Sequence, residues 1–423
     1  MTETTQELEK STWNSKLSAL GPGILMASAA VGGSHLIAST QSGAIYGWQL
    51  AIIIILANLF KYPFFRFGVQ YTLDTGETLL QGYLKKGKIY LWVFFLMNVF
   101  ATVINTAAVG LLCAAILTFV LPAGMIALPK LSLIVIGVST LILLLGKYRL
   151  LDGLSKLIMI ALTITTIIAV IIALSRNGIQ GVAPVDYVSA SPWNLAALGF
   201  IVALMGWMPA PIEISAINSM WVIAKRRVSK VSYQDGIWDF NVGYIGTALL
   251  ALVFLALGAL VQHGSSEAVQ MVGGKYIAQL INMYASTIGE WARGLIAFIA
   301  FMCMFGTTIT VIDGYSRTNV ESLRLILGKR ESRPSFLNIA ITLAAISGLA
   351  IIFYFNNAVG PMLKFAMIAS FVSTPVFAYL NLSLVLKGEH KVKGGLFWLS
   401  LIGLMYLSSF TLLFIVQQAG WLN

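Results

Sequence analysis

The residues whose types could do chemistry lie in two interruptions of otherwise apolar stretches. The first interruption is Gly32-Gly33-Ser34-His35, and the second is Met208-Pro209-Ala210-Pro211, followed by Glu213. Adjacent glycines weaken a helix, and a proline removes a backbone donor and leaves carbonyl groups unpaired. An imidazole, a thioether, a hydroxyl and free backbone groups can bind an ion or a small polar solute. The two interruptions are therefore predicted to form a binding site.

The elements that must position this site are hydrophobic. Of the 423 residues, 58% are hydrophobic and 10% are charged, whereas roughly a quarter are charged in a typical soluble domain. A soluble fold of this length cannot bury so much apolar surface, so a lipid bilayer is the predicted partner. The net charge of +11 does not indicate a nucleic-acid partner, because the basic residues form short clusters between the apolar stretches.

Apolar stretches of membrane-spanning length recur along the whole chain. A hydrocarbon core about 30 Å thick needs about 20 apolar residues in helical form. This length predicts an all-α membrane protein with about eleven transmembrane helices. They are placed at 20–45, 48–68, 89–120, 131–146, 154–174, 195–223, 240–261, 291–313, 336–355, 359–386 and 395–416.

The basic residues predict the orientation of these helices. Most of the 27 lysine and arginine residues fall in loops on one side of the predicted membrane. Basic loops stay on the cytoplasmic side, so the N-terminus is predicted to be cytoplasmic and the C-terminus outside, in the cell membrane.

The two interruptions fall in the first and the sixth predicted helix. Unpaired backbone groups persist inside a bilayer only where they face protein or a water-filled cavity. Broken helices at corresponding positions of two five-helix halves indicate the midplane binding site of a secondary transporter. For either break taken alone, the alternative is an ordinary kink beside a glycine pair that packs against a neighbouring helix.

Several short segments resemble the Nramp family of metal-ion transporters, whose members have the inverted-repeat fold of LeuT. Gly21-Pro22-Gly23 opens the first helix as in that family, and Thr75-Gly76 follows the second helix. Gln41-Ser42-Gly43-Ala44 is a further match. Met208-Pro209 stands where the family has Met-Pro-His, and Thr308-Ile309-Thr310 resembles a Ser/Thr stretch in its eighth helix.

The resemblance implies a domain organisation. Residues 20–174 would form a first inverted repeat of five helices and residues 195–386 a second one. A cytoplasmic tail, residues 1–19, would precede them, and one extra C-terminal helix at 395–416 would follow. The implied function is secondary transport of a metal cation by alternating access.

The substrate motif departs from that family. When the sequence is aligned with the motifs of that family, Gly32 and His35 replace the metal-contacting Asp and Asn, and Ala210 replaces a His. Met208 keeps the metal-contacting Met, and Met205 would supply a carbonyl oxygen. The resemblance therefore implies a transition-metal solute held by His35 and Met208, a soft ligand pair. Alternatively, the Gly-Gly-Ser break offers backbone N–H groups to the carboxylate of an amino acid or another small organic solute. A non-transporting receptor or scaffold of the same fold is a third hypothesis.

The coupling ion is predicted to be Na⁺ or H⁺, with uncoupled flux as the alternative. His35 and Glu213 are the proton candidates, because they are ionisable residues inside predicted helices. The hydroxyls of Thr307, Thr308 and Thr310 are candidates for a sodium site. The alternative is that these hydroxyls bond to the preceding helical turn.

Two further charged residues and the absence of catalytic motifs complete the sequence predictions. Lys61 is expected to extend towards the membrane surface or to face a polar groove, and Asp313 is expected to cap or pair near a helix end. The sequence contains no phosphate-binding loop and no paired catalytic groups. We therefore expect no enzymatic activity and no cofactor.

Overall fold

The chain folds into a bundle of helices. The computed structural model describes residues 13–122, 124–146, 148–270, 273–331, 333–355 and 358–421. Residues 1–12 of the predicted tail lie outside the described residues. The described ranges contain no strand. The helices are α1 Trp13–Ala19, α2 Pro22–Ala30, α3 Thr40–Tyr46, α4 Ala51–Thr75, α5 Leu79–Lys86, α6 Lys88–Leu117, α7 Leu128–Leu144, α8 Tyr148–Asn177, α9 Leu195–Gly206, α10 Ile214–Val228, α11 Tyr233–Val261, α12 Gly273–Ile288, α13 Ala292–Ile326, α14 Pro334–Tyr354, α15 Val359–Leu384 and α16 Gly394–Gln418.

The predicted membrane spans coincide with these helices. Within the described part of the chain, eight helices are long and apolar enough to cross a bilayer: α4, α6, α8, α11, α13, α14, α15 and α16. The first predicted span is broken into α2 and a second helical piece, bent by 51°. The two remaining predicted spans contain the shorter apolar helices α7 and α9. The prediction of an all-helical membrane protein is confirmed, and the count of eleven spans stays a prediction.

The helices divide into an inner group and an outer group. In the most apolar window of α6, 78% of the residues are buried, whereas the corresponding share is 22% in α8 and 28% in both α14 and α16. α6 packs along α13, and α11 packs against α2 and α3. The exposed apolar faces of the outer helices are therefore the surface that lipid covers.

The inner helices α3 and α11 touch backbone to backbone. A Cβ atom added to Gly43 would lie 2.0 Å from the carbonyl oxygen of Leu255, and one added to Gly258 would lie 2.1 Å from that of Thr40. Small residues permit such close approach of helices in membranes. The contact holds the second half of the first broken helix against α11.

The Gly-Pro-Gly motif at the start of α2 is held by two neighbouring helices. The Asp239 carboxylate accepts hydrogen bonds from the N–H groups of Gly21 at 3.0 Å and Gly23 at 2.7 Å. Nζ of Lys225 donates to the carbonyl of Leu20 at 3.2 Å. A carboxylate at a helix N-terminus complements the unpaired N–H groups and the helix dipole. α2 is thereby anchored to α10 and α11.

Candidate functional site

The first break separates α2 from α3. α2 ends at Ala30, and a π-helical segment, Ser34–Ser39, follows the glycine pair and leads into α3. Among the described residues, the N–H groups of Gly32 and Gly33 have no hydrogen-bond acceptor. Two donors therefore stay free at the point where the helix is interrupted.

The second break separates α9, which ends at Gly206, from α10, which begins at Ile214. A helical residue normally donates its N–H to the carbonyl four positions earlier. Pro209 has no N–H for the carbonyl of Met205. The N–H of Ala210 finds no acceptor within the described part of the chain. The break thus leaves the N–H of Ala210 free and removes the helical partners of the carbonyls at the end of α9.

A small cavity lies between the two breaks. Its volume of about 30 Å³ is enough for a single water molecule. None of the residues that line it has a charged side chain. The predicted site residues at this cavity are Gly32, Gly33, Ser34, Ala210 and Thr307, and the further polar or aromatic ones are Asn105, Trp207 and Tyr315.

His35 does not line this cavity. The imidazole is fully buried. Its Nε2 lies 3.0 Å from the carbonyl oxygen of Thr247, and its Nδ1 lies 2.8 Å from Oγ of Ser34. A carbonyl oxygen only accepts, so Nε2 carries the proton and donates it to Thr247. Neither ring nitrogen is available to a metal in this conformation.

The two methionines are also buried without lining the cavity. Sδ of Met205 accepts a hydrogen bond from the Tyr406 hydroxyl at 3.3 Å. The structure therefore does not bring His35, Met205 and Met208 together around the space between the breaks.

Lys61 on α4 lies in the second break. The expectation that it extends to the membrane surface is wrong, because the side chain is completely buried and its ammonium group faces polar carbonyl groups instead. Nζ donates to the carbonyls of Met205 at 2.6 Å, Gly206 at 2.9 Å and Ala210 at 3.4 Å. The carbonyl predicted as a metal donor, that of Met205, is thus occupied by the side chain of another helix.

Glu213 is buried beside the second break and is bound through Tyr315. Oε1 accepts a hydrogen bond from the Tyr315 hydroxyl at 3.0 Å, and that hydroxyl accepts one from Nδ2 of Asn105 at 3.1 Å. Oε2 has no hydrogen-bond partner among the described residues. This network joins α6, α10 and α13, and sequence reasoning missed Tyr315 as a member.

The threonine hydroxyls of α13 bond to the preceding helical turn, which is the alternative to a sodium site. The hydroxyls of Thr307, Thr308 and Thr310 donate to carbonyls of the preceding turn at 3.1, 2.8 and 2.9 Å, respectively. Asp313 of the same helix pairs with Arg317 at 2.8 Å, as expected, but it does not lie near a helix end, because α13 continues to Ile326. The geometry therefore explains the three hydroxyls without a bound ion.

A larger cavity opens at the C-terminal end of α3 and the start of α9. Its volume is about 470 Å³, and its lining includes Tyr46, Phe200, Glu267 and Lys364. The cavity therefore lies at the opposite end of the first broken helix from the start of α2, where the Asp239 carboxylate is bound. This cavity has the size and the mixed polar and apolar lining of a vestibule for a small solute.

Comparisons with known proteins support the fold. No family model matches the sequence. An uncharacterized protein of Pasteurella multocida is 90% identical over the 423 residues, which cover all of this chain and 98% of that protein. A crystal structure of a mutant manganese transporter from Eremococcus coleocola matches with a TM-score of 0.69 at 17% identity, covering 97% of this chain and 87% of that one. A nucleobase-cation-symport-1 family transporter with bound bromovinylhydantoin matches with a TM-score of 0.56 at 13% identity, covering 94% and 93%.

These matches confirm the fold that the sequence resemblance implied. The two structural neighbours are both transporters.

Proposed function

We propose that this chain, which belongs to one family with the Pasteurella multocida protein and has the fold of the Eremococcus transporter, is a secondary transporter. It would move a small solute between the broken helices by alternating access. The proposed topology has eleven spans with a cytoplasmic N-terminus and an outside C-terminus in the cell membrane. Residues 20–174 and 195–386 would be the inverted repeats, and the helix at 395–416 would be additional.

The solute that the geometry supports best is a small organic molecule with a carboxylate group. The observation that carries this proposal is the cavity between the breaks, which combines free N–H groups of Gly32, Gly33 and Ala210 with the absence of an acidic side chain from its lining. Free N–H groups at helix ends bind anions. A dication there would lose its hydration shell without a carboxylate in compensation. A solute larger than water would enter when the helix halves separate.

A metal cation is the second candidate, and the manganese transporter among the structural neighbours favours it. In that case His35 and Met208 would have to turn towards the cavity, since neither lines it here. The other neighbour holds an organic ligand, which is consistent with the first candidate.

Flux into proteoliposomes separates the two candidates. We expect purified protein to take up a labelled carboxylic or amino acid and to leave Mn²⁺ and Cu⁺ outside. Uptake of metal, with no uptake of any organic acid, would contradict the proposal, and the absence of all flux would favour a receptor or scaffold.

Two variants sharpen this test. Met208→Ala should preserve organic-acid uptake, since backbone N–H groups and not the thioether bind the solute; a loss of metal uptake in this variant would support the metal candidate instead. Gly32→Asp should weaken organic-acid uptake by repulsion of the carboxylate and should raise Mn²⁺ binding, measured by calorimetry. Unchanged values for both solutes would show that Gly32 does not face the solute.

Coupling to Na⁺ or H⁺ remains part of the proposal. His35 and Glu213 are the proposed proton carriers, since both are buried and ionisable. Uptake driven by an imposed pH gradient, compared with an imposed Na⁺ gradient, identifies the ion.

A further inference from the structure

We infer that Lys61 is a built-in cation: its ammonium group fills a carbonyl site in the second break, and a small neutral residue in its place would open that site to Na⁺. The inference concerns a cation site apart from the solute cavity, and it rests on the proposed function only where transport is the readout.

The three carbonyl groups lack their helical partners four residues later for a reason that the sequence explains, although the carbonyl of Met205 also accepts from the N–H of Met208 at 3.3 Å. Pro209 cannot donate to Met205, and the N–H of Ala210 does not donate to Gly206, so both carbonyls at the end of α9 lack their helical partner. The carbonyl of Ala210 also lacks its helical partner, because the N–H of Ile214 donates to Pro211. Three oxygens therefore converge in a place that water does not reach.

The side chain of Lys61 matches these oxygens in number. An ammonium group has three hydrogens and no acceptor, and Nζ lies 2.6, 2.9 and 3.4 Å from the three carbonyl oxygens. A neutral amine would offer only two donors and would direct its lone pair at the third oxygen. The C-terminal end of α9 adds the negative end of its helix dipole, which also favours a positive charge.

The same set of ligands suits a free alkali cation. Neutral backbone carbonyls replace the hydration shell of alkali cations in membrane proteins, and the unwound helices of transporters bind Na⁺ in this way. A monovalent cation would carry the same charge as the Lys61 ammonium group, whereas a neutral side chain would not. With Lys61 in place, the natural protein would have no need of a cation in this break.

The test compares thermal unfolding of purified Lys61→Ala in NaCl and in N-methylglucamine chloride at equal ionic strength. We expect Lys61→Ala to unfold at a lower temperature than the natural protein in N-methylglucamine. Its midpoint should rise saturably with Na⁺, because a ligand that binds the folded state stabilises it. The natural protein should show a smaller rise or none, because a coupling site elsewhere would be the same in both proteins and its carbonyl site is already filled by Lys61.

Two further variants serve as controls. Lys61→Met removes the charge but fills the space with a side chain of similar length, so it should be destabilised without recovery in Na⁺. Lys225→Ala removes a lysine that also donates to a backbone carbonyl, that of Leu20, away from the break. Its midpoint should respond to Na⁺ in the same way as that of the natural protein.

Two results would overturn the inference. They are a Na⁺-dependent rise of Lys61→Ala that is no larger than that of the natural protein, or a failure to obtain folded Lys61→Ala even in NaCl. A second readout is transport: uptake by Lys61→Ala should depend on Na⁺ more strongly than uptake by the natural protein does. Since the unfolding test uses no solute, it stays decisive even if the proposed organic solute is wrong.

Discussion

The hydroxyl of Tyr315 is expected to hold the second break together through Glu213. Tyr315→Phe keeps the ring that lines the cavity and deletes the hydroxyl that accepts from Asn105 and donates to Glu213. A lost hydrogen bond costs about 1 kcal/mol, and a buried oxygen left without a donor costs about 1–3 kcal/mol more. Because Oε2 of Glu213 already has no partner among the described residues, the substitution leaves both carboxyl oxygens unpaired. We expect a loss of about 2–4 kcal/mol in the free energy of unfolding.

A double-mutant cycle with Glu213→Ala measures this coupling by denaturant unfolding in mixed micelles. The double variant should lose less stability than the two single variants summed, by about 1 kcal/mol or more, since contacting residues couple by about 0.5–3 kcal/mol. Tyr83→Phe is the matched control, because Tyr83 is also fully buried and donates to Asn381 away from the cavity. If Tyr315→Phe and Glu213→Ala add to within about 0.5 kcal/mol, the hydroxyl does not stabilise the carboxyl group and the reasoning is refuted.

Three further substitutions test other parts of the structure. Gly33→Ala puts a methyl group 3.0 Å from the Trp207 ring, and this overpacking should weaken solute binding. The affinity should fall about tenfold for each 1.4 kcal/mol that the overpacking costs. The measurement is the solute concentration that gives half-maximal uptake, which should rise. Gly258→Ala puts a methyl group 2.1 Å from a carbonyl oxygen of α3 and should lower the free energy of unfolding by about 3 kcal/mol. Gly246→Ala, on the same helix as Gly258, is the control: its methyl group meets no atom within 4 Å, so this variant should unfold like the natural protein. Asp239→Asn replaces a charged acceptor with a neutral one and should cost about 1 kcal/mol, so the two glycine amides that it binds should exchange hydrogen about fivefold faster.

The features that the sequence predicted well are those that depend on neighbouring residues. The apolar stretches predicted the membrane helices because each stretch alone must match the bilayer. The glycine pair at 32–33 and the prolines at 209 and 211 predicted both helix breaks, since their effect on the backbone is local. The shorter helices α5 and α12 were not predicted, because a search for long apolar stretches does not detect them.

The contacts within the site could not be predicted because they join residues that are far apart in the sequence. Lys61 meets carbonyl groups 144 to 149 positions later in the chain, and no local pattern indicates that pairing. His35 was predicted as a metal ligand from its place in the first break. Its actual partner, the Thr247 carbonyl, belongs to a helix whose register against α3 depends on the glycine contact between them.

The two halves of the second broken helix have different neighbours. α9 packs against α15, where a Cβ atom on Gly206 would lie 1.9 Å from the carbonyl oxygen of Met367, whereas α10 packs mainly against α4. If these two groups move relative to each other, the segment between Gly206 and Ile214 would have to act as the hinge. Because Lys61 extends from α4 to the α9 side of that hinge, its hydrogen bonds to the carbonyls would have to break whenever the hinge bends. The rate of this conformational change should then depend on the strength of those hydrogen bonds.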